Sequence, residues 1–80
     1  MKLWLISRNG VIDYDEYDSA VVVAATEEQA RNTHPSGSGV VSHEPFDGWV
    51  ASAAAVNCVY LGEAEANVKP GVVCASYNAG

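Results

Sequence analysis

Apolar positions along the chain gather into four short runs, and the stretches between them are polar or rich in glycine and proline. The first run, Lys2 to Ser7 (KLWLIS), alternates so that Leu3 and Leu5 share one face of a strand and Trp4 and Ile6 the other, which makes both faces apolar. The second, Ser19 to Ala25 (SAVVVAA), has three successive valines. Such β-branched side chains lose rotamers in a helix and pack well on a pleated surface, and a run without polar alternation predicts a strand covered on both sides. Val56 to Leu61 (VNCVYL) and Val72 to Tyr77 (VVCASY) read as the third and fourth strands, with Gly62 ending the third.

The stretches between supply turns and one helix. Arg8, Asn9 and Gly10 form a hairpin signal, after which Val11 and Ile12 begin a return leg. Asp13, Asp15, Glu16 and Asp18 then crowd around Tyr14 and Tyr17, too much like charge to bury, so this stretch is expected as a solvated loop or strand edge. Thr26 stands where a helix N-cap should, with Gln29 three residues on as in a capping box, and Glu27 and Glu28 lie at the positive end of the helix dipole. Glu27 pairs with Arg31 at i,i+4 spacing, and Pro35 disfavours helix at His34, which predicts about two turns. Ala30 is the only apolar residue of that helix. His34 to Gly48 reads as a long ordered loop, with Trp49 anchoring its end in the core. Ala51 to Ala55 fits either a helical turn or an extended link, and Glu63 to Val68 a turn before Lys69-Pro70-Gly71.

The expected fold class is α+β: one domain over residues 1–80, a small, mainly antiparallel four-stranded sheet with one short helix, in the order ββαββ. One helix covers one face. The loop carrying Phe46 and Trp49, or a second copy of the chain in a homodimer, is expected to cover the other.

Composition narrows the function. Hydrophobic residues make up 49% of the 80 and charged residues 18%, which is globular composition rather than disordered. Ten acidic residues against four basic ones give a net charge of −6, which disfavours direct binding to nucleic acid. The opening MKLWLISRNG lacks the h-region and small-residue cleavage site of a signal peptide, and no apolar run is long enough to span a bilayer. The chain is therefore expected to be soluble and cytoplasmic, without a membrane partner. Cys58 and Cys74 sit within strand patterns and are expected as buried free thiols.

Candidate chemistry is sparse. His34 and His43, with Glu44 and Asp47 nearby, match no metal-ligand spacing, so no metal and no cofactor is expected. Cys74 in an apolar strand is a poor nucleophile. Ser36, Gly37, Ser38 and Gly39 resemble a phosphate loop in composition, but they follow a helix carboxyl end instead of preceding an amino end. Asp13 and Asp15 open like a calcium loop, yet Asp18 stands where its glycine belongs and Ala24 where its glutamate belongs. No catalytic residue is assigned. The acidic, tyrosine-bearing stretch remains: carboxylates interleaved with aromatic anchors suit a basic protein surface and can mimic nucleic-acid charge.

MKLWLIS at the start, YDEYDSAVVVAA, TEEQARNTHP, a central Trp, VYLGEA and the terminal ASYNAG together resemble a family of small proteins encoded by tailed phages and bacterial prophages. The resemblance spans nearly the whole chain and is weakest from Ser36 to Asp47. It carries no catalytic residues with it. It implies an accessory protein made in the bacterial cytoplasm, and by analogy of context one that binds and inhibits a host or defence-system protein. The contact residues expected on that reading are Asp13, Tyr14, Asp15, Glu16, Tyr17 and Asp18. Two alternatives stand beside it. One is a protein that sequesters a small nucleotide signal with His34, Ser36, Gly37, Ser38, Gly39, His43 and Trp49. The other is a minor component of the virion.

Overall fold

The computed structural model describes residues 1–9, 16–37, 49 and 53–78. Its elements are β1 (Lys2–Ser7), β2 (Glu16–Ala24), α1 (Glu27–Arg31), a 3-10 turn (Ala53–Ala55), β3 (Asn57–Glu63) and β4 (Gly71–Asn78). The four strands form one sheet in the order β3-β1-β2-β4, and every neighbouring pair is antiparallel. Because β2 and β3 both run antiparallel to β1, they are parallel to each other, and α1 lies on the crossover between them. The link from β3 to β4, residues 64–70, passes from one edge of the sheet to the other. It must cover three strand spacings, about 14 Å, and seven residues reach about 23 Å, so the course is comfortable. The Ala64 amide ties its start to the Met1 carbonyl at 3.0 Å.

The helix begins where the cap signal placed it. The Gln29 amide donates to Thr26 Oγ1 at 3.2 Å, and Gln29 Oε1 accepts from the Ala25 amide at 3.1 Å, a return bond one residue earlier than a standard capping box. It is shorter than the expected two turns, with five residues. The stop comes at Thr33: the Asn32 amide still makes the helical bond to the Glu28 carbonyl at 3.2 Å, but Thr33 Oγ1 takes the Gln29 carbonyl at 2.8 Å and the Thr33 amide turns to the Ala30 carbonyl at 3.1 Å.

Strand register sorts the side chains into rows. On the helix side, Cys58, Ile6, Ala20 and Ala75 form one row and Tyr60, Trp4, Val22 and Val72 the next. The core gathers there, with Trp4, Ile6, Ala20, Val22, Ala24, Ala30, Trp49 and Val56 all buried. Trp4 satisfies its indole N–H on the Ala24 carbonyl at 3.1 Å, and the Tyr60 ring meets it edge-on at 5.4 Å. Arg31 fastens the helix to the sheet: its Nη1 donates to the Val56 carbonyl, while its Nε lies 3.4 Å from the Glu27 carboxylate.

Further expectations change. Gly62 does not end the third strand. It sits inside β3 at a φ of 151°, beside a bulge that leaves Leu61 without a partner between Tyr60 and Gly62, and glycine tolerates that backbone where other residues would be strained. Of the two places expected for the acidic stretch, loop or strand edge, Glu16, Tyr17 and Asp18 take the strand: they open β2, where β4 pairs with them beyond the end of β1. Cys74 is exposed, while Cys58 is half-buried, and both are free thiols. Trp49 is buried in the core, and Ala53–Ala55 forms the helical alternative for that stretch. The expected return leg at Val11 and Ile12 and the loop residue Phe46 lie outside the described residues.

The core makes a stability prediction. Ile6 is wholly buried in the central strand, so Ile6→Ala should cost about 2–5 kcal/mol. That is a large share of the total for a domain of this size, on the order of 4–12 kcal/mol. Val59→Ala, at a half-exposed site, should cost under about 1 kcal/mol. Urea unfolding of both variants checks the contrast.

Candidate functional site

The acidic stretch enters the structure at the outer end of the β2–β4 pair. Glu16 and Tyr17 lie opposite Asn78 and Tyr77. A bulge follows, so that Tyr17 turns to the helix side while Asp18 and Ser19 oppose Ser76 together. Tyr17 is wedged against the core, with Tyr77 at 4.8 Å between ring centres and the His34 ring edge-on at 5.9 Å. Glu16 pairs with Arg8 at 2.9 Å, at the end where the chain passes from β1 to β2. Asp18 accepts from the Ser19 hydroxyl at 2.8 Å and from the Ser76 hydroxyl at 2.9 Å. Its charge is thus held in place by two neutral donors and is not neutralised by a cation in either bond. Tyr77, which sequence reasoning did not include, is 47% exposed and extends the aromatic part of the strip onto β4. No sequence signal marked it, because its contact with Tyr17 depends on the non-local pairing of β2 with β4. Asp13, Tyr14 and Asp15 lie outside the described residues.

The alternative set is only partly brought together. His34 is buried, and its Nδ1 accepts from the Ser36 amide at 3.1 Å, with the Ser36 hydroxyl 2.8 Å away. This is a local turn, closed by the Gly37 amide donating to the His34 carbonyl at 3.0 Å. Trp49 is spent on the core, and Ser38, Gly39 and His43 lie outside the described residues. Gly37 does reach a groove of about 990 Å³ between α1 and the β3–β4 link, lined also by Val23, Gln29, Thr33, Pro70 and Val72 among others. Among the described residues that line it, Glu28 carries the charged side chain.

The other face of the sheet is exposed toward its edges, while Leu3, Leu5 and Val21 at its middle are half-buried and Val23 is buried. Val59, Leu5, Val21 and Cys74 form a row across all four strands, and Gly62, Leu3, Val23 and Gly71 form the next. Bulges at Leu61 and Val73 add a side chain on each edge strand. Val59, Leu61 and Val73 are 53%, 50% and 57% exposed, in a sheet whose solvent face would ordinarily alternate to polar.

No group of three or more His, Cys, Asp or Glu side chains positioned to hold a metal occurs among the described residues. No helix among them is long and apolar enough to cross a membrane. No family model, curated protein or solved structure matches the chain.

Thiol reactivity tests the placement of the strands. Burial pushes the Cys58 thiol above its ordinary pKa, partly offset by the nearby Arg31 cation. A raised pKa lowers the thiolate fraction at neutral pH, so Cys74 should be alkylated about tenfold or more faster than Cys58, whose rate should climb only above the usual thiol range. Mass mapping of a timed iodoacetamide reaction checks both; equal rates would contradict the exposure of β4.

Proposed function

We propose that this chain is a non-enzymatic, cytoplasmic accessory protein of phage type that binds and inhibits a host or defence-system protein through the strip at the β2–β4 end. The observation that carries this reading is the Tyr17–Tyr77 ring pair at the end of the β2–β4 pair, with Asp18 fixed at the same end on the opposite face. Rigid aromatics are common anchors of protein interfaces, and a strand-borne strip has little ordering entropy left to lose on binding. The net charge of −6 supports a basic partner surface and fast, salt-sensitive association. The resemblance to small phage proteins supplies the host context. Converting Asp13, Asp15, Glu16 and Asp18 to their amides, or Tyr77 to Ser, should weaken partner capture about 30-fold or more, the effect of losing a contact worth about 2 kcal/mol. Native mass spectrometry of the tagged protein from bacterial lysate, alongside melting curves that confirm folding, checks this. Capture that survives both changes in a folded protein would leave the strip as a solubilising face.

The groove beside α1 favours a second reading, in which the chain sequesters a small ligand. With Glu28 as its charged lining residue, it suits a neutral or cationic nucleoside-like molecule better than an anionic nucleotide. A ligand at about 100 times its Kd should stabilise the fold by about 2.7 kcal/mol, which is a rise in Tm on the order of 10 °C for a domain this small. A thermal-shift screen of nucleosides and nucleotides checks this, and a flat response would remove the reading.

A further inference from the structure

On the reading that the strip at the β2–β4 end binds a partner, we infer that the partner segment is an extended basic peptide that adds as a fifth strand to the edge of β4. β4 is an edge of the sheet, and among the described elements it touches β2 alone, whereas α1 packs against the other edge strand, β3. Its sequence, GVVCASYN, holds no charge and no proline, the usual means by which an edge is kept from pairing. A bulge at Val73 interrupts β4 near its start, and residues 74–78 then run without an extra residue up to the strip.

The side chains along that edge define what fits it. Ala75 and Tyr77 lie on the helix side of β4, and Cys74 and Ser76 on the other. A strand laid along the edge therefore sets alternate side chains beside the half-exposed Tyr77 ring and beside Ser76. Asp18 Oδ2 accepts from the Ser76 hydroxyl at 2.9 Å, so the carboxylate leans from β2 over β4. It stands about 4.8 Å, one strand spacing, from the added strand, within reach of a lysine or arginine.

Charge selects the occupant. Asp18 takes its two hydrogen bonds from hydroxyls, and the ion pairs among the described residues are Arg8 with Glu16 and Arg31 with Glu27, so none of these cations meets it. A carboxylate keeps acceptor sites after two such bonds. The net charge of −6 draws in a basic segment and repels an acidic one. A second copy of the chain is a poor match, since its edge strands, NCVYLGE and GVVCASYN, bring no lysine or arginine to Asp18.

A capped heptapeptide alternating lysine and valine is the probe, titrated into the full chain and read by amide hydrogen exchange. Saturable binding with a Kd below about 1 mM is expected, with exchange slowed at residues 74–78 and unchanged on β3. Asp18→Asn and Cys74→Lys should each weaken it about fivefold or more. Val59→Lys, the same charge change as Cys74→Lys but on the far edge strand, should not, because at physiological salt the two edges lie more than a screening length of about 8 Å apart. N-methylation of the lysines or of the valines blocks opposite edges of the peptide, so one of these two isomers should lose at least tenfold and the other little. No saturable binding up to about 1 mM would overturn the inference, as would two isomers that bind like the parent, or protection that falls on β3. Slowed exchange at residues 74–78 that grows with chain concentration alone would also overturn it, by giving the edge to a second copy. Capture from lysate is scored separately: its loss in the strip variants beside equal binding of both isomers would keep the strip and remove the added strand, whereas edge binding in a chain that captures nothing would remove the inhibitor reading.

Discussion

Coverage of the sheet is the constraint that shapes this protein. A five-residue helix with one buried apolar side chain, Ala30, is the main regular structure available to close a four-stranded sheet. Such a helix cannot bury a sheet face by itself, since helix stability and coverage both come from an extended apolar stripe. Bulk is supplied from elsewhere: Trp4 rises from the central strand, Trp49 comes in from the crossover, and Val56 closes the layer just before β3. Each places a large side chain where a longer helix would have lain. The indole N–H of Trp4 finds the Ala24 carbonyl, so its aromatic area enters the core without leaving that donor unpaired.

The same shortage explains why Arg31 matters more than an ordinary surface arginine. Its guanidinium joins the last turn of α1 to the Val56 carbonyl and reaches Glu27 as well. Planar and many-donored, it fixes the helix against the strand that follows it in the crossover, a part a lysine would fill poorly. The exposed ion pair to Glu27 adds little by itself. Anchoring of the crossover at Val56 and Trp49 in turn sets β3 against β1 rather than against β2, giving the order β3-β1-β2-β4.

Local rules made much of this legible. Alternation in KLWLIS separated Trp4 and Ile6 from Leu3 and Leu5 as the structure does, and the Thr26 and Gln29 pair marked the helix start. Lone side chains that shape the chain only through non-local pairing were not legible. Gly62 reads as a terminator until β1 is seen to continue beside it, and Cys74 reads as buried until the fourth strand is known to be an edge. Helix length failed for a related reason: Thr33 is a weak helix former whose hydroxyl competes with its own amide for the Gln29 carbonyl, and only geometry shows that it succeeds. Of the candidate strip, the chemistry of Glu16, Tyr17 and Asp18 was readable, whereas their engagement with Arg8, Tyr77 and Ser76 includes contacts, such as that of Asp18 with Ser76, that span 58 residues of sequence or more.

Bulges decide how the two faces of the sheet divide their character. The bulge at Asp18 lets Tyr17 drop into the core side while Asp18 stays with Ser19 and Ser76 at the polar end of the opposite face. There the row Asn57, Ser7, Ser19 and Ser76 runs across all four strands, and the next row inward, Val59, Leu5, Val21 and Cys74, is apolar throughout. A one-residue change of register would have mixed these rows, setting carboxylates among the valines. The observed pairing instead keeps the Asp18 carboxylate at one end of this face and leaves the rows beyond it without a charge, and no side chain of the apolar row takes part in the hydrogen bonds of Asp18 or the ring contacts of Tyr17.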